Sequence, residues 1–255
     1  MGFIEEELKT CPYCGKKQVW YEKKAGSFHI KVPVYQCNCK DIEQEKIKKQ
    51  KELKKLEQLR EKRRQELFTN SLMTPFFKEK IFEKLNNNSN LNQCKEYAKT
   101  FSPEKSKGIR MIGNIGTGKT TLLAAICNNL IEQGYKCLFT TFSDLLSKFS
   151  NYSSNNAGDI SEQLHWLTTF DFVCLDDIGR ETYTDKRKEI AFILIDTLMN
   201  YKVVTAFTAN PEMLEKLKQI PEMNAALDRL KDMCPIKYEF KGKSLRGGIQ
   251  NSGRI

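Results

Sequence analysis

The string GNIGTGKTT, Gly113 to Thr121, constrains this chain more than any other feature. Its frame is G-x-x-x-x-G-K-[ST], with a further glycine at Gly116. Glycines let the backbone turn tightly and aim consecutive N–H groups inward, where they cradle phosphate oxygens. Gly113, Asn114, Ile115, Gly116, Thr117, Gly118, Lys119, Thr120 and Thr121 are therefore the expected contacts to ATP or ADP. Lys119 would reach the β- and γ-phosphates, and the Thr120 hydroxyl would hold Mg²⁺. The flanks suit the motif. KGIRMIG before it reads as a buried strand, and KTTLLAAICNNLIEQG after it as a helix closed by Gly134. That helix would point its N-terminus, and its dipole, at the phosphates. A glycine-rich turn that matches by chance would have no reason to sit between such a strand and such a helix.

At 255 residues the chain is one large domain or a domain with an appendage. Hydrophobic residues make up 40%, enough for a core, and no apolar run approaches the ~20 residues of a membrane span. The start, MGFIEEELKTCPYCGKK, is acidic and then cysteine-rich, unlike a signal peptide. Of nine cysteines, Cys94, Cys127, Cys137, Cys174 and Cys234 stand singly, three of them inside apolar segments. Reduced, buried thiols in a cytoplasmic protein fit this better than a disulfide frame. A formal charge of +10 favours an acidic partner such as nucleic acid.

Three regions follow from the pattern. In residues 1–40, CPYCG sets Cys11 and Cys14 at C-x2-C, and YQCNCKD supplies Cys37 and Cys39. Two thiolate pairs can close one tetrahedral, structural Zn²⁺ site in a segment too small to fold on a core of its own. The C-x-C spacing is tighter than usual, and His29 could replace one sulfur. The competing reading is a set of unrelated thiols. Residues 41–67 contain no glycine or proline and read as one basic helix. Its heptad frame is half filled: Ile42, Leu53, Leu56 and Leu67 fit, but Lys46, Lys49, Arg60 and Arg63 take equivalent places. A solvated connecting helix is the reading preferred; contact with nucleic acid or a partner through its basic face is the sharper one.

Residues 68–255 alternate helical patterns with apolar strands, the order of an α/β domain with a parallel sheet. KCLFTTF, FDFVCLDD and KVVTAFTAN read as strands, SDLLSKF as a helix capped by Ser143, and KRKEIAFILIDTLMN as an amphipathic helix. Asp176 and Asp177 close an apolar strand as a Walker B pair does. Asp176 would reach Mg²⁺, and Asp177 would orient or deprotonate the attacking water. Asn210 ends the next strand, where its amide could hold that water; the alternative is a helix cap before PEML. ALDRLKD puts Arg229 on a late helix, as a residue inserted into a neighbouring subunit's site or as an ordinary surface arginine.

GNIGTGKTTLLAAI, LDDIGRE, FTAN, ALDRL and the closing GKSLR occur in that order. From about Phe68 onward the chain resembles the DnaC/DnaI-type helicase loaders, a branch of the AAA+ ATPases close to the DnaA initiator. The resemblance implies that Asn210 is sensor 1, Arg229 a finger acting in trans and Arg246 sensor 2. The cysteine-rich start resembles the zinc module of the DnaI subgroup, which in that family contacts the replicative helicase; DnaC proper lacks it. Asp177 is one methylene shorter than the glutamate of most AAA+ enzymes, which implies slow hydrolysis suited to a switch.

Three functions remain open on these residues. The first is an ATP-dependent loader that places a hexameric replicative helicase on single-stranded DNA and self-associates through its ATP sites. The second is a transposition helper ATPase of the IstB type, assembling on duplex DNA. The third is a non-catalytic nucleic-acid adaptor whose ATP site only stabilises the fold. A kinase fits less well, since Asp176, Asp177 and Asn210 suit water activation better than acceptor positioning.

Overall fold

A computed structural model describes residues 8–26, 28–85, 90–154, 160–242 and 244. The chain divides into two compact units, residues 1–62 and 63–255.

The first unit is built on a hairpin. β1 (Gln18–Ala25) pairs antiparallel with β2 (Phe28–Tyr35), Gln18 opposite Tyr35. The turn before β1 closes through Gly15, at φ 72°, whose N–H donates to the Cys11 carbonyl. α1 (Cys39–Asn70) follows, and the boundary between the units falls inside it. It outruns the 41–67 segment at both ends because nothing from Cys39 to Asn70 breaks a helix: the stretch has no glycine or proline. Leu53 and Leu56, two of its heptad positions, are exposed, as on a solvated connecting helix.

The second unit continues with α2 (Pro75–Lys78), a 3-10 turn at Phe82–Lys84, and α3 (Leu91–Lys99). Then come β3 (Ile109–Gly113), α4 (Lys119–Glu132), β4 (Cys137–Thr141), α5 (Phe142–Ser154) and α6 (Ile160–Thr168). β5 (Phe172–Ile178), α7 (Asp185–Asn200), β6 (Val204–Ala209), α8 (Pro211–Lys218), α9 (Pro221–Met233) and β7 (Ile236–Phe240) complete it. The five strands form one parallel sheet in the order β4-β5-β6-β3-β7.

The inner strands are nearly continuous apolar runs because both faces of a parallel sheet are covered. Side chains alternate between two cores. Ile109, Met111, Phe172, Cys174 and Ala206 pack with α3 and α4, while Val173, Leu175, Phe207 and Ala209 pack with residues of α5, α7 and α9. β7, on the edge, buries only Phe240 fully and exposes Lys237 and Glu239. The start of α5 differs from the sequence reading. Thr141, not Ser143, caps it: Thr141 Oγ1 accepts the Asp144 N–H at 3.1 Å, and the helix is already under way at Phe142. No described helix is long and apolar enough to cross a membrane.

One buried polar residue ties the first helices to the sheet layer. Asn128, in the middle of α4, is 2% exposed, and its Nδ2 donates to the carbonyls of Phe77 (2.8 Å) and Lys80 (2.7 Å). The Phe77 carbonyl, in α2, also accepts the Lys80 N–H at 3.1 Å, so removing the amide takes one of its partners and the Asn128 bond to Lys80. Asn128→Ala should cost about 1–3 kcal/mol, the range for orphaning a buried polar group. Urea unfolding of the chain, followed by circular dichroism, reads this as a lower midpoint.

Candidate nucleotide site and cysteine cluster

The sheet order places β3 between β6 and β7, while the strand that follows it in sequence, β4, lies at the far edge. The order of strand addition reverses here, and in open α/β sheets such a reversal opens a crevice at the carboxyl ends of the strands. The phosphate loop leaves β3 at that point. Gly113 packs against Phe240 of β7 so closely that a Cβ would collide with the Phe240 carbonyl. Gly116 and Gly118 are left-handed, at φ 80° and 90°. Ser244 stands directly against Gly116, so the GKSLR segment begins over the loop. Arg246 lies outside the described residues.

Lys119 opens α4 and folds back over the loop, 8% exposed. Its Nζ donates to the Gly113 carbonyl at 2.6 Å and the Asn114 carbonyl at 2.8 Å. The next residue reaches across the crevice: Thr120 Oγ1 donates to Asp176 Oδ1 at 2.9 Å. Thr208, on β6, donates to the same oxygen at 2.6 Å. Burial pushes the Asp176 carboxyl above its ordinary range; the Thr208 and Thr120 hydroxyls oppose this, and the Asp177 charge adds to it. A buried carboxylate beside a hydroxyl and an ammonium is a donor set that fits Mg²⁺ with a polyphosphate.

Asp177 sits differently from its neighbour. The β5–β6 register runs Leu175 opposite Phe207 and then Ile178 opposite Ala209, so β5 carries one extra residue. Asp177 takes the left-handed conformation there, φ 60°, which aspartate tolerates better than most side chains. Its Oδ2 is 2.7 Å from Arg180 Nη1. The turn that follows is held by Glu181, whose Oε2 accepts the Gly179 N–H (2.9 Å) and the Tyr183 hydroxyl (2.7 Å). Burial raises the Glu181 carboxyl as well.

The remaining sequence candidates fall in separate places. Asn210 ends β6 and caps α8, its Oδ1 accepting the Glu212 N–H at 3.0 Å, so the capping role is realised. Among the described residues the amide's N–H donors stay available for another acceptor. Arg229 lies on α9 against α7: its Nε is 3.4 Å from Asp196 Oδ1, and its guanidinium stacks 4.1 Å over the Phe192 ring. Within one chain it touches none of Lys119, Thr120, Asp176 and Asp177. The sequence reading passed over Thr208, Arg180, Glu181 and Tyr183. The one available signal was Thr208, the second of two hydroxyls in the buried run VTAFTA and the one nearer its carboxyl end.

In the first unit the hairpin register brings the knuckle before β1 to the segment after β2. The ligand atoms of Cys11, Cys14, Cys37 and Cys39 lie within 4.8 Å of one another. The backbone N–H of Tyr13 draws the Cys11 thiol down to about 7, while its bond with Cys14 and burial push Cys39 up to about 12. Four sulfurs so close cannot all ionise without a cation among them. The set fits a tetrahedral thiolate site, with bonds of about 2.3 Å for zinc. His29 is not part of it, against the alternative left open by the spacing. It pairs with Lys24 near the hairpin turn, six positions along β2 from Tyr35. At about 3.3 Å per residue that is roughly 20 Å from the cysteine end.

The conformation at position 177 is testable on its own. Asp177→Asn should leave the melting temperature unchanged, because asparagine also accepts φ > 0. Asp177→Ile should lower stability by about 1–2 kcal/mol, the cost of left-handed backbone with a branched Cβ. Differential scanning calorimetry of the two variants separates these outcomes.

Over residues 43–252 the chain matches the family described as IstB-like ATP binding protein. It is 28% identical over 159 residues to the replicative helicase loader DnaC of Escherichia coli K12, an alignment covering 62% of this chain and 64% of that protein. It is 25% identical over 217 residues to the replicative helicase loader DnaI of Bacillus subtilis 168, covering 80% and 65%. The matches thus span just under two thirds of the length of these relatives. A crystal structure of the DnaC helicase loader has the same AAA+ fold, with a TM-score of 0.58 at 20% identity, covering 66% of this chain and 100% of that one.

Proposed function

The chain belongs to the family of IstB-like ATP-binding proteins, and we propose that it is an ATP-dependent loader of a hexameric replicative helicase onto single-stranded DNA. The observation that carries this reading is the pairing, on one chain, of the phosphate loop and Asp176 with a four-cysteine cluster in a separate compact unit. The first offers a switch and the second a handle. The likeness to DnaI, a replicative helicase loader, extends over 80% of the chain.

In this reading Gly113 to Thr121 cradle the phosphates and Lys119 exchanges its two carbonyl partners for phosphate oxygens. Thr120 and Asp176 hold Mg²⁺, which neutralises phosphate charge when bound. Asp177 turns the attacking water, aided by the Asn210 amide. Arg229 acts on the site of an adjacent copy, and Arg246 closes over the nucleotide. To reach a neighbour, Arg229 must exchange Asp196 for a phosphate, and the Arg180 partner of Asp177 must yield to water. Hydrolysis is slow and controlled by assembly, in the cytoplasm. Zn²⁺ at the four cysteines is structural.

The family description favours one other reading, a transposition helper of the IstB type. A pull-down of cell extract with the tagged full chain, with and without ATP, decides between them. Co-elution of a ring helicase is the expected result; recovery of a transposase without a helicase would reverse the assignment. Lys119→Ala should bind ATP at least about a hundred-fold more weakly, since it removes charge-assisted hydrogen bonds to the phosphates. Calorimetric titration measures the loss, and unchanged affinity would rule out the phosphate site.

The cysteine cluster gives a second expectation. Purified without chelator, the chain should carry zinc at about one atom per molecule. Replacing Cys11 and Cys14 by serine should lose the metal and unfold the hairpin unit, because metal binding and folding are one equilibrium in such modules. The variant should still bind ATP and fail to retain the helicase. Elemental analysis and the same pull-down check both halves.

A further inference from the structure

We propose that Thr208 is a positioning residue for the two acids: its hydroxyl sets Asp176 toward Mg²⁺ and fixes the backbone that carries Asp177. The inference deepens the nucleotide-site reading and rests on it.

The extra residue in β5 creates a local problem. Across from it, β6 offers Thr208 alone between Phe207 and Ala209. The Asp177 N–H therefore has no carbonyl of β6 in register. Thr208 Oγ1 takes that N–H at 2.8 Å, and the same oxygen donates to Asp176 Oδ1 at 2.6 Å. Thr208 is 1% exposed, so water cannot easily replace it.

The two bonds fix the direction of the hydroxyl. An amide N–H can only donate and an ionised carboxylate can only accept. The group between them must do both, and it must be short enough to fit inside a sheet. Only serine and threonine meet those conditions. Because the lone pair is committed to Asp177, the proton is committed to Asp176. The bulge would otherwise leave a buried N–H unsatisfied and let the Asp176 side chain rotate. Thr120 holds the same Asp176 oxygen from the opposite side, at 2.9 Å, so the carboxylate is clamped between α4 and β6. Both of these bonds fall on Oδ1, which leaves Oδ2 as the oxygen we assign to the metal.

A merely structural threonine would be replaced by valine at a uniform cost in stability. A positioning threonine changes the response to the metal instead. The experiment uses the full chain and a fluorescent ADP analogue, titrated in EDTA and at a series of Mg²⁺ concentrations. Melting temperatures are measured alongside, and hydrolysis is followed separately. Thr208→Val should leave nucleotide affinity in EDTA within about two-fold of the original chain. It should raise the Mg²⁺ concentration for half-maximal tightening by about ten-fold, the value of one hydrogen bond to a charged group. It should also lower kcat more than it raises KM. Thr208→Ser, which keeps the hydroxyl, should restore the Mg²⁺ response.

A Thr208→Val chain with the original Mg²⁺ response overturns the proposal. So does a Thr208→Ser chain that folds normally but behaves like valine, since the hydroxyl would then not be the cause. If the unsubstituted chain shows no Mg²⁺-dependent nucleotide binding, the nucleotide-site reading itself fails and this inference falls with it. That outcome is told apart from the others by the parent protein alone.

Discussion

The carboxylate of Asp176 is the point on which the nucleotide site depends. Two hydroxyls meet on one of its oxygens, Thr120 from the start of α4 and Thr208 from β6. They come from segments 56 and 32 residues away in sequence. A buried carboxylate with no donors would cost several kcal/mol or take up a proton. With two donors it can remain ionised in a crevice between strands, where a divalent cation and a phosphate ammonium partner can use it. Lys119 is placed by the same helix turn as Thr120, so loop, helix and strand are aligned through one side chain.

Much of this was legible in the sequence. Glycine spacing announced the loop because phosphate cradling needs left-handed backbone, and Gly116 and Gly118 do adopt it. Apolar runs announced the inner strands because a doubly covered sheet tolerates little else. The cysteine pairs met because an antiparallel hairpin returns the chain to its starting point. The unread part has a common cause. Thr208 acts across two strands, and Glu181 and Tyr183 act within an irregular turn; a periodicity describes neither. The cap of α5 was misplaced because Thr141 and Ser143 are equally good capping residues; where β4 stops decides between them. His29 looked available as a ligand because spacing alone does not show that it sits at the far end of a strand.

Arg229 is placed by contacts within its own chain. It is half-buried, ion-paired and stacked on α7, as an intrachain structural arginine would be. A cation over an aromatic face beside a partly exposed carboxylate is held by about 1–2 kcal/mol at most. That is enough to give the side chain a definite resting place and too little to prevent a phosphate from drawing it away. In the proposed trans role, a side chain held at rest in this way would lose little entropy on recruitment.

The left-handed turn at Asp177 has a consequence for any exchange of acids there. Acid length and backbone handedness are coupled at this position. Aspartate is short, and it suits φ 60°. A glutamate would reach one methylene further and lose the short side chain's ease with left-handed backbone. Exchanging one acid for the other in this chain therefore measures two changes at once.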